Sequence, residues 1–113
     1  MSEERVLLDY LNDILESIAD IREFTAGMTK EDFSKDKKTI NAVVRSLEVI
    51  GEAANKLPNH IRDRHPEISW QETVGMRNRL IHEYFGVDLK MVWKTVKDDL
   101  PMLKEQINNL LKN

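Results

Sequence analysis

The sequence predicts an all-α fold, an up-and-down bundle of four main helices with short helical turns between them. Three observations carry this. Apolar residues recur every three or four positions along four long stretches, and no stretch alternates with the two-residue period of a strand. Residues that start and stop helices punctuate those stretches: Thr29, Ser69 and Asp88 at starts, Gly27, Pro58 and Gly86 at ends. The connections between stretches are short, which favours neighbouring helices running up and down.

The first helix is expected from about Glu3 to Ala26, on the spacing of Val6, Leu7, Tyr10, Leu11, Ile14, Ile18, Ile21 and Phe24. Thr29-Lys30-Glu31-Asp32 reads as a capped short turn with Phe33 tucked inward. A second helix spans about Lys37 to Lys56, with Ile40, Val43, Val44, Leu47, Ile50 and Ala54 on its apolar face, and Leu57-Pro58 stops it. His60 to His65 forms a short helical turn before Pro66. Ser69 caps a third long helix, with Glu72 completing a capping box, and that helix ends near Gly86. Asp88 caps the last helix, which runs through Met91, Val92, Val96, Leu103, Ile107 and Leu110, and Pro101 predicts a kink or break inside it.

A chain of 113 residues with 41% hydrophobic composition can bury a core, and residues 1–113 read as a single domain. The absence of cysteine excludes a disulfide framework and a thiolate metal site. His60 and His65 flank Arg62 and Arg64 without carboxylates at ligand spacing, so no metal and no cofactor are expected. The acidic start Ser2-Glu3-Glu4 reads as neither a signal nor a transit peptide, and no apolar run reaches membrane-spanning length. A soluble, cytoplasmic protein with no membrane partner is the expectation.

The net charge of −3 argues against a general nucleic-acid coat. The charge is uneven: residues 1–55 carry 12 acids and 7 bases, whereas residues 56–97 carry 5 acids and 8 bases. The basic stretch suggests a local phosphate site. On the second helix, Asn41, Arg45, Glu48 and Glu52 form a polar stripe at i, i+4, i+7, i+11 spacing. It reads either as a solvated face with an Arg45–Glu48 or Arg45–Glu52 interaction, or as the lining of a cleft or dimer seam. Gly51, inside the helix, costs about 1 kcal/mol relative to alanine, which close approach of another helix would explain.

The basic stretch contains Arg77-Asn78-Arg79-Leu80-Ile81-His82-Glu83-Tyr84, followed by Phe85-Gly86. Arginine grips phosphate through a planar fork, and histidine moves protons near neutral pH. RNA supplies its own nucleophile, the 2′-hydroxyl. Cleavage needs a base for that hydroxyl, an acid for the departing 5′-oxygen, and positive charge on the phosphorane. His82 suits the proton transfers and Arg77 the oxyanion clamp. At about 100° per residue the two lie about 140° apart on an ideal helix, so spacing alone does not bring them together. The same residues also admit ordinary roles. His82 sits near a helix C-terminus, Arg77 has Glu48 or Glu52 as candidate partners, and Tyr84 is a candidate core residue. One chain offers a single motif histidine; a two-fold dimer would bring two copies together.

The pattern Arg77-x4-His82-x-Tyr84 resembles the signature of HEPN-domain ribonucleases, in particular the HepT-type toxins. The second-helix stretch Ala42 to Ala54, the stretch Trp70 to Gly86, and Val87-Asp88 with Val92-Trp93 resemble the same branch, so the likeness covers nearly the whole chain in order. The resemblance implies a HEPN-like bundle that dimerises with its motif helices facing a shared cleft. It implies a metal-independent endoribonuclease toxin, acting on RNA such as tRNA. The implied partner is an MntA-type nucleotidyltransferase antitoxin that transfers AMP from ATP onto the motif tyrosine. Carried over, Arg77 and His82 are catalytic, Asn78, Arg45 and Glu52 support the site, and Tyr84 takes the AMP. A second expectation is a non-catalytic subunit that binds nucleotide or substrate jointly with a nucleotidyltransferase. A third is a purely structural bundle dimerising around Gly51.

Overall fold

The computed structural model describes residues 2–75 and 88–112. Among them the chain is helices and turns without a strand, as the hydrophobic periodicity predicts. Helix α1 spans Glu3–Phe24, α2 Lys30–Lys35, α3 Lys37–Lys56 and α4 Asn59–Arg64. Residues 70–75 begin α5, α6 spans Leu89–Lys94, a π-helical turn covers Thr95–Asp99, and α7 runs Leu100–Lys112.

The core is built mainly from α1 and α3, which pack against each other along their length. Leu11, Ile14, Ile18 and Ile21 of α1 meet a wall of Val43, Val44, Leu47, Ile50 and Ala54 from α3. These positions follow the three-and-four spacing that makes one apolar stripe on each helix. α7 adds Leu103 and Ile107 from a second side, and α6 adds Val92. α2 sits between α3 and α6 and seals the core with the fully buried Phe33, whose ring lies 5.3 Å from that of Trp93.

Local signals explain most of the boundaries. The Thr29 hydroxyl accepts from the Asp32 N–H while the Asp32 carboxylate accepts from the Thr29 N–H, a complete capping box that starts α2. The Asp36 carboxylate caps α3 by accepting the Thr39 N–H at 3.0 Å. α1 ends two residues short of the expected Ala26: the Thr25 N–H still makes the helical bond to the Ile21 carbonyl, but the Ala26 N–H bonds to the Glu23 carbonyl, three residues back, and the ladder stops. The chain then turns through Gly27 at φ +75, a left-handed conformation glycine takes without steric cost. One consequence is that Phe24, expected on the apolar face, stays 39% exposed at the helix end.

At Pro101 the expected interruption of the last helix takes the form of a π turn. Proline lacks an N–H, and its ring crowds the carbonyl four residues back, here that of Lys97. The chain widens into a π turn immediately before it, and the Leu100 N–H reaches the Thr95 carbonyl five residues back. The disruption is spread over Thr95–Asp99, and the helix resumes as α7. The Thr95 hydroxyl, buried at this point, bonds to the Met91 carbonyl at 2.9 Å.

Candidate functional site

Arg77, Asn78, His82 and Tyr84 lie outside the described residues, as does Gly86, the expected end of their helix. Both flanks of that segment are described. On the N-terminal side the loop after α4 is pinned to the core. Ile68 and Trp70 are buried, and the Trp70 indole N–H donates to the His65 carbonyl at 3.1 Å. The Gln106 amide of α7 donates to the Glu67 carbonyl at 2.8 Å, tying this loop to the last helix. α5 then starts with the Thr73 N–H and hydroxyl both bonded to the Ser69 carbonyl. The Ser69 carbonyl thus accepts the first helical bond, consistent with Ser69 at the N-cap as expected. Sequence reading did not single out Trp70 or Gln106 as anchors, because both bonds end on backbone carbonyls that carry no residue signature.

On the C-terminal side, Asp88 starts α6 as expected. Its carboxylate accepts the N–H groups of Lys90 at 3.0 Å and Met91 at 3.3 Å. Both described flanks, the loop before Gly75 and the start of α6 after Asp88, are thus tied into core-packed elements.

The two described residues that the resemblance assigned to the site, Arg45 and Glu52, are not joined to each other. Arg45 pairs with Glu48 at 3.6 Å and is 69% exposed, whereas Glu52 pairs with Lys56 at 3.8 Å. Of the two interactions offered for Arg45 by spacing, the three-residue one forms. Asn41 is exposed, Glu48 and Glu52 are half-buried, and Gly51 is buried within α3. A cleft beside the start of α5 is lined by Asn59, Arg62, Asp63, Trp70, Glu72 and Gly75. There Arg62 is held by the Asn59 side-chain oxygen at 2.6 Å. Among the described residues no cluster of three or more His, Asp or Glu side chains is arranged to hold a metal ion. No described helix is long and apolar enough to cross a membrane.

The described elements form an all-α bundle, and the sequence between them carries the Arg-x4-His-x-Tyr pattern. Residues 14–110 match the family model described as ribonuclease HepT-like, and the chain belongs to that family. It is 54% identical to the "Probable ribonuclease HepT" of Thermococcus cleftensis, over 92% of this chain and 94% of that protein. A Methanocaldococcus jannaschii protein provisionally named an RNase is 46% identical over 97% of this chain and 91% of its own. Another, from Caldanaerobacter subterraneus, is 43% identical over 90% and 91%. No solved structure matches the chain.

Proposed function

We propose that this chain is a metal-independent endoribonuclease in which Arg77 and His82 carry the chemistry. The observation that supports the reading best is the family match over residues 14–110, which takes in the whole Arg77-x4-His82-x-Tyr84 pattern. The relatives at 43–54% identity are named as ribonucleases, and RNA is the substrate this implies.

In the proposed reaction a histidine base removes the proton of a 2′-hydroxyl, whose oxygen attacks the adjacent phosphorus. The bond from phosphorus to the 5′-oxygen breaks, a protonated histidine supplies the proton to that oxygen, and a 2′,3′-cyclic phosphate remains. Arg77 places its guanidinium on the non-bridging oxygens, where charge builds up in the transition state. Asn78 orients groups in the site by hydrogen bonding. Two proton carriers are needed and each chain offers one motif histidine, so the active form is a homodimer with a composite site. Arg45 and Glu52 belong to this arrangement as supporting surface, each in its own ion pair within the protomer.

The finer reading is a toxin paired with an MntA-type nucleotidyltransferase antitoxin, working in the cytoplasm as one domain over residues 1–113 and cleaving RNA such as tRNA. The antitoxin would direct the Tyr84 phenolic oxygen at the α-phosphorus of ATP. Pyrophosphate leaves, the phenolic proton is lost, and AMP remains on Tyr84. Two residues from His82, that group adds bulk and negative charge where RNA phosphate must sit.

The test is cleavage of RNA by the purified protein in excess EDTA, beside His82→Ala, with the intact mass of both recorded. Expected is cleavage by the parent and a loss of about 10²–10⁴-fold in the variant, the usual contribution of general acid–base groups. Equal cleavage by both proteins would remove His82 from the mechanism. No cleavage by parent protein of unmodified mass would favour a non-catalytic binding subunit. An inactive parent carrying added AMP would point to Tyr84 as the switch.

A further inference from the structure

The surface after Asp88 carries a regular set of exposed cations. Lys90, Lys94 and Lys97 are spaced i, i+4, i+7 from α6 into the π turn, and all three are exposed. Lys90 and Lys94 share one side of α6, and Lys97 follows within the π turn, where the chain leaves the 3.6-residue period. Lys94 is partly neutralised: the π turn brings Asp99, five residues on, to 3.8 Å from its ammonium. Lys90 and Lys97 have no carboxylate partner among the described residues. Lys97 is instead steadied by an aromatic ring, with its ammonium 4.8 Å from the centroid of Trp93.

Other elements extend this line at both ends. Lys30 of α2 and Lys90 of α6 share a shallow depression floored by Phe33 and Leu89. Lys97 shares a second depression with Arg22 at the end of α1. Neither Lys30 nor Arg22 has an ion-pair partner among the described residues. The acids nearby are few or occupied. Asp88 is engaged with two N–H groups as the α6 cap and Asp99 sits on Lys94, while Glu31 lines the depression shared by Lys30 and Lys90 and the exposed Asp98 follows Lys97, neither in an ion pair among the described residues.

The geometry points to Lys30, Lys90, Lys97 and Arg22 as a phosphate track that carries the RNA strand away from the cleavage site. This rests on the ribonuclease reading above and adds to it the path of the substrate. The track starts where the chain leaves the motif segment, since Asp88 is the first described residue after it and α6 begins at Leu89. A row of separated cations, with one held over an aromatic ring, matches the regular charge of a nucleic-acid backbone. A protein of net charge −3 needs such a local path to hold a polyanion at all. Because the contacts are to phosphate, the track contributes affinity and direction and reads no bases.

The experiment measures binding of a labelled single-stranded RNA to full-length His82→Ala protein, which does not consume the probe, across a range of salt. Lys30→Glu, Lys90→Glu and Lys97→Glu are combined in one variant. The control variant combines Arg5→Glu, Arg64→Glu and Lys112→Glu, exposed cations outside the track with the same total charge change. Circular dichroism checks that each is folded. Expected is at least tenfold weaker binding by the track variant, and a log–log salt slope shallower by about 2, from about 0.7 per lost contact to a single strand. The control should bind within about threefold of the parent. Equal weakening by both variants would reduce the effect to net charge and overturn the track. Unchanged binding by the track variant would overturn it while leaving the ribonuclease reading intact. Unchanged RNA binding with lost association to a nucleotidyltransferase partner would reassign the surface to protein. If the His82→Ala parent binds no RNA even at low salt, the ribonuclease reading falls and the track with it.

Discussion

α3 and α6 each carry a charged stripe at helical spacing, and the two stripes are built in opposite ways. On α3 both signs are present and the charges satisfy one another locally: Arg45 with Glu48, and Glu52 with Lys56. On α6 the stripe has one sign, and among the described residues only Lys94 finds a carboxylate. A periodic polar face says little about partners when its charges cancel within the chain. It says more when they do not, because an uncompensated row attracts an external polyanion. The helices also differ in regularity. α3 is a continuous helix whose other face is core, whereas α6 runs into a π turn that re-aims the side chains after it.

The largest effect expected from breaking this contrast lies on the buried side of α3. Leu47 is fully buried, so Leu47→Ala should cost about 2–5 kcal/mol, measured by urea unfolding. Lys90→Gln, on the exposed side of α6, should stay within about 0.5 kcal/mol in the same assay. A Lys90 variant as destabilised as the Leu47 variant would mean that the α6 stripe is structural. Next in size is Asp88, whose carboxylate holds two N–H groups at the start of α6. Asp88→Ala should cost about 1 kcal/mol and lower the melting temperature, whereas Asp88→Asn, which keeps an acceptor, should lose much less.

A smaller effect concerns pH. The Thr39 backbone N–H, and then its side chain, hold the Asp36 carboxyl below the usual aspartate range. The capping contribution is therefore fully present above that range and is lost as pH falls through the depressed folded-state value. Thermal melts across the acid limb should show Asp36→Asn flattening this part of the profile, and an unchanged slope would rule out Asp36 as its source. Smallest of all is Arg45→Ala, which removes an exposed ion pair and should shift stability by no more than about 0.5 kcal/mol. A larger loss, or a change in molar mass by light scattering, would show that the α3 stripe meets another surface and is more than self-paired.

Much of the fold was legible because its signals are local. The bounds of α3, the Thr29–Asp32 box, the inward Phe33 and the Asp88 cap each depend on residues within one or two turns of one another. The site was legible only through resemblance. Arg77 and His82 do not converge on an ideal helix, and spacing alone leaves both Glu48 and Glu52 open as partners for Arg45. The α6 track went unread for a related reason: its lysines are regular in the sequence, but Lys30 and Arg22 come from other elements.

By itself, then, the sequence determined the all-helical class, the apolar faces of α1 and α3, and membership of a ribonuclease family. It does so because periodicity, caps and motif spacing act through neighbours along the chain. Tertiary structure decided the rest. The turn at Ala26–Gly27 ended α1 early and left Phe24 exposed, and the π turn took up Pro101 and put Asp99 beside Lys94. Trp70 and Gln106 braced the loop before the motif. These outcomes depend on which carbonyl or charge packing brings within 3–4 Å, and chain spacing does not specify that between separate elements.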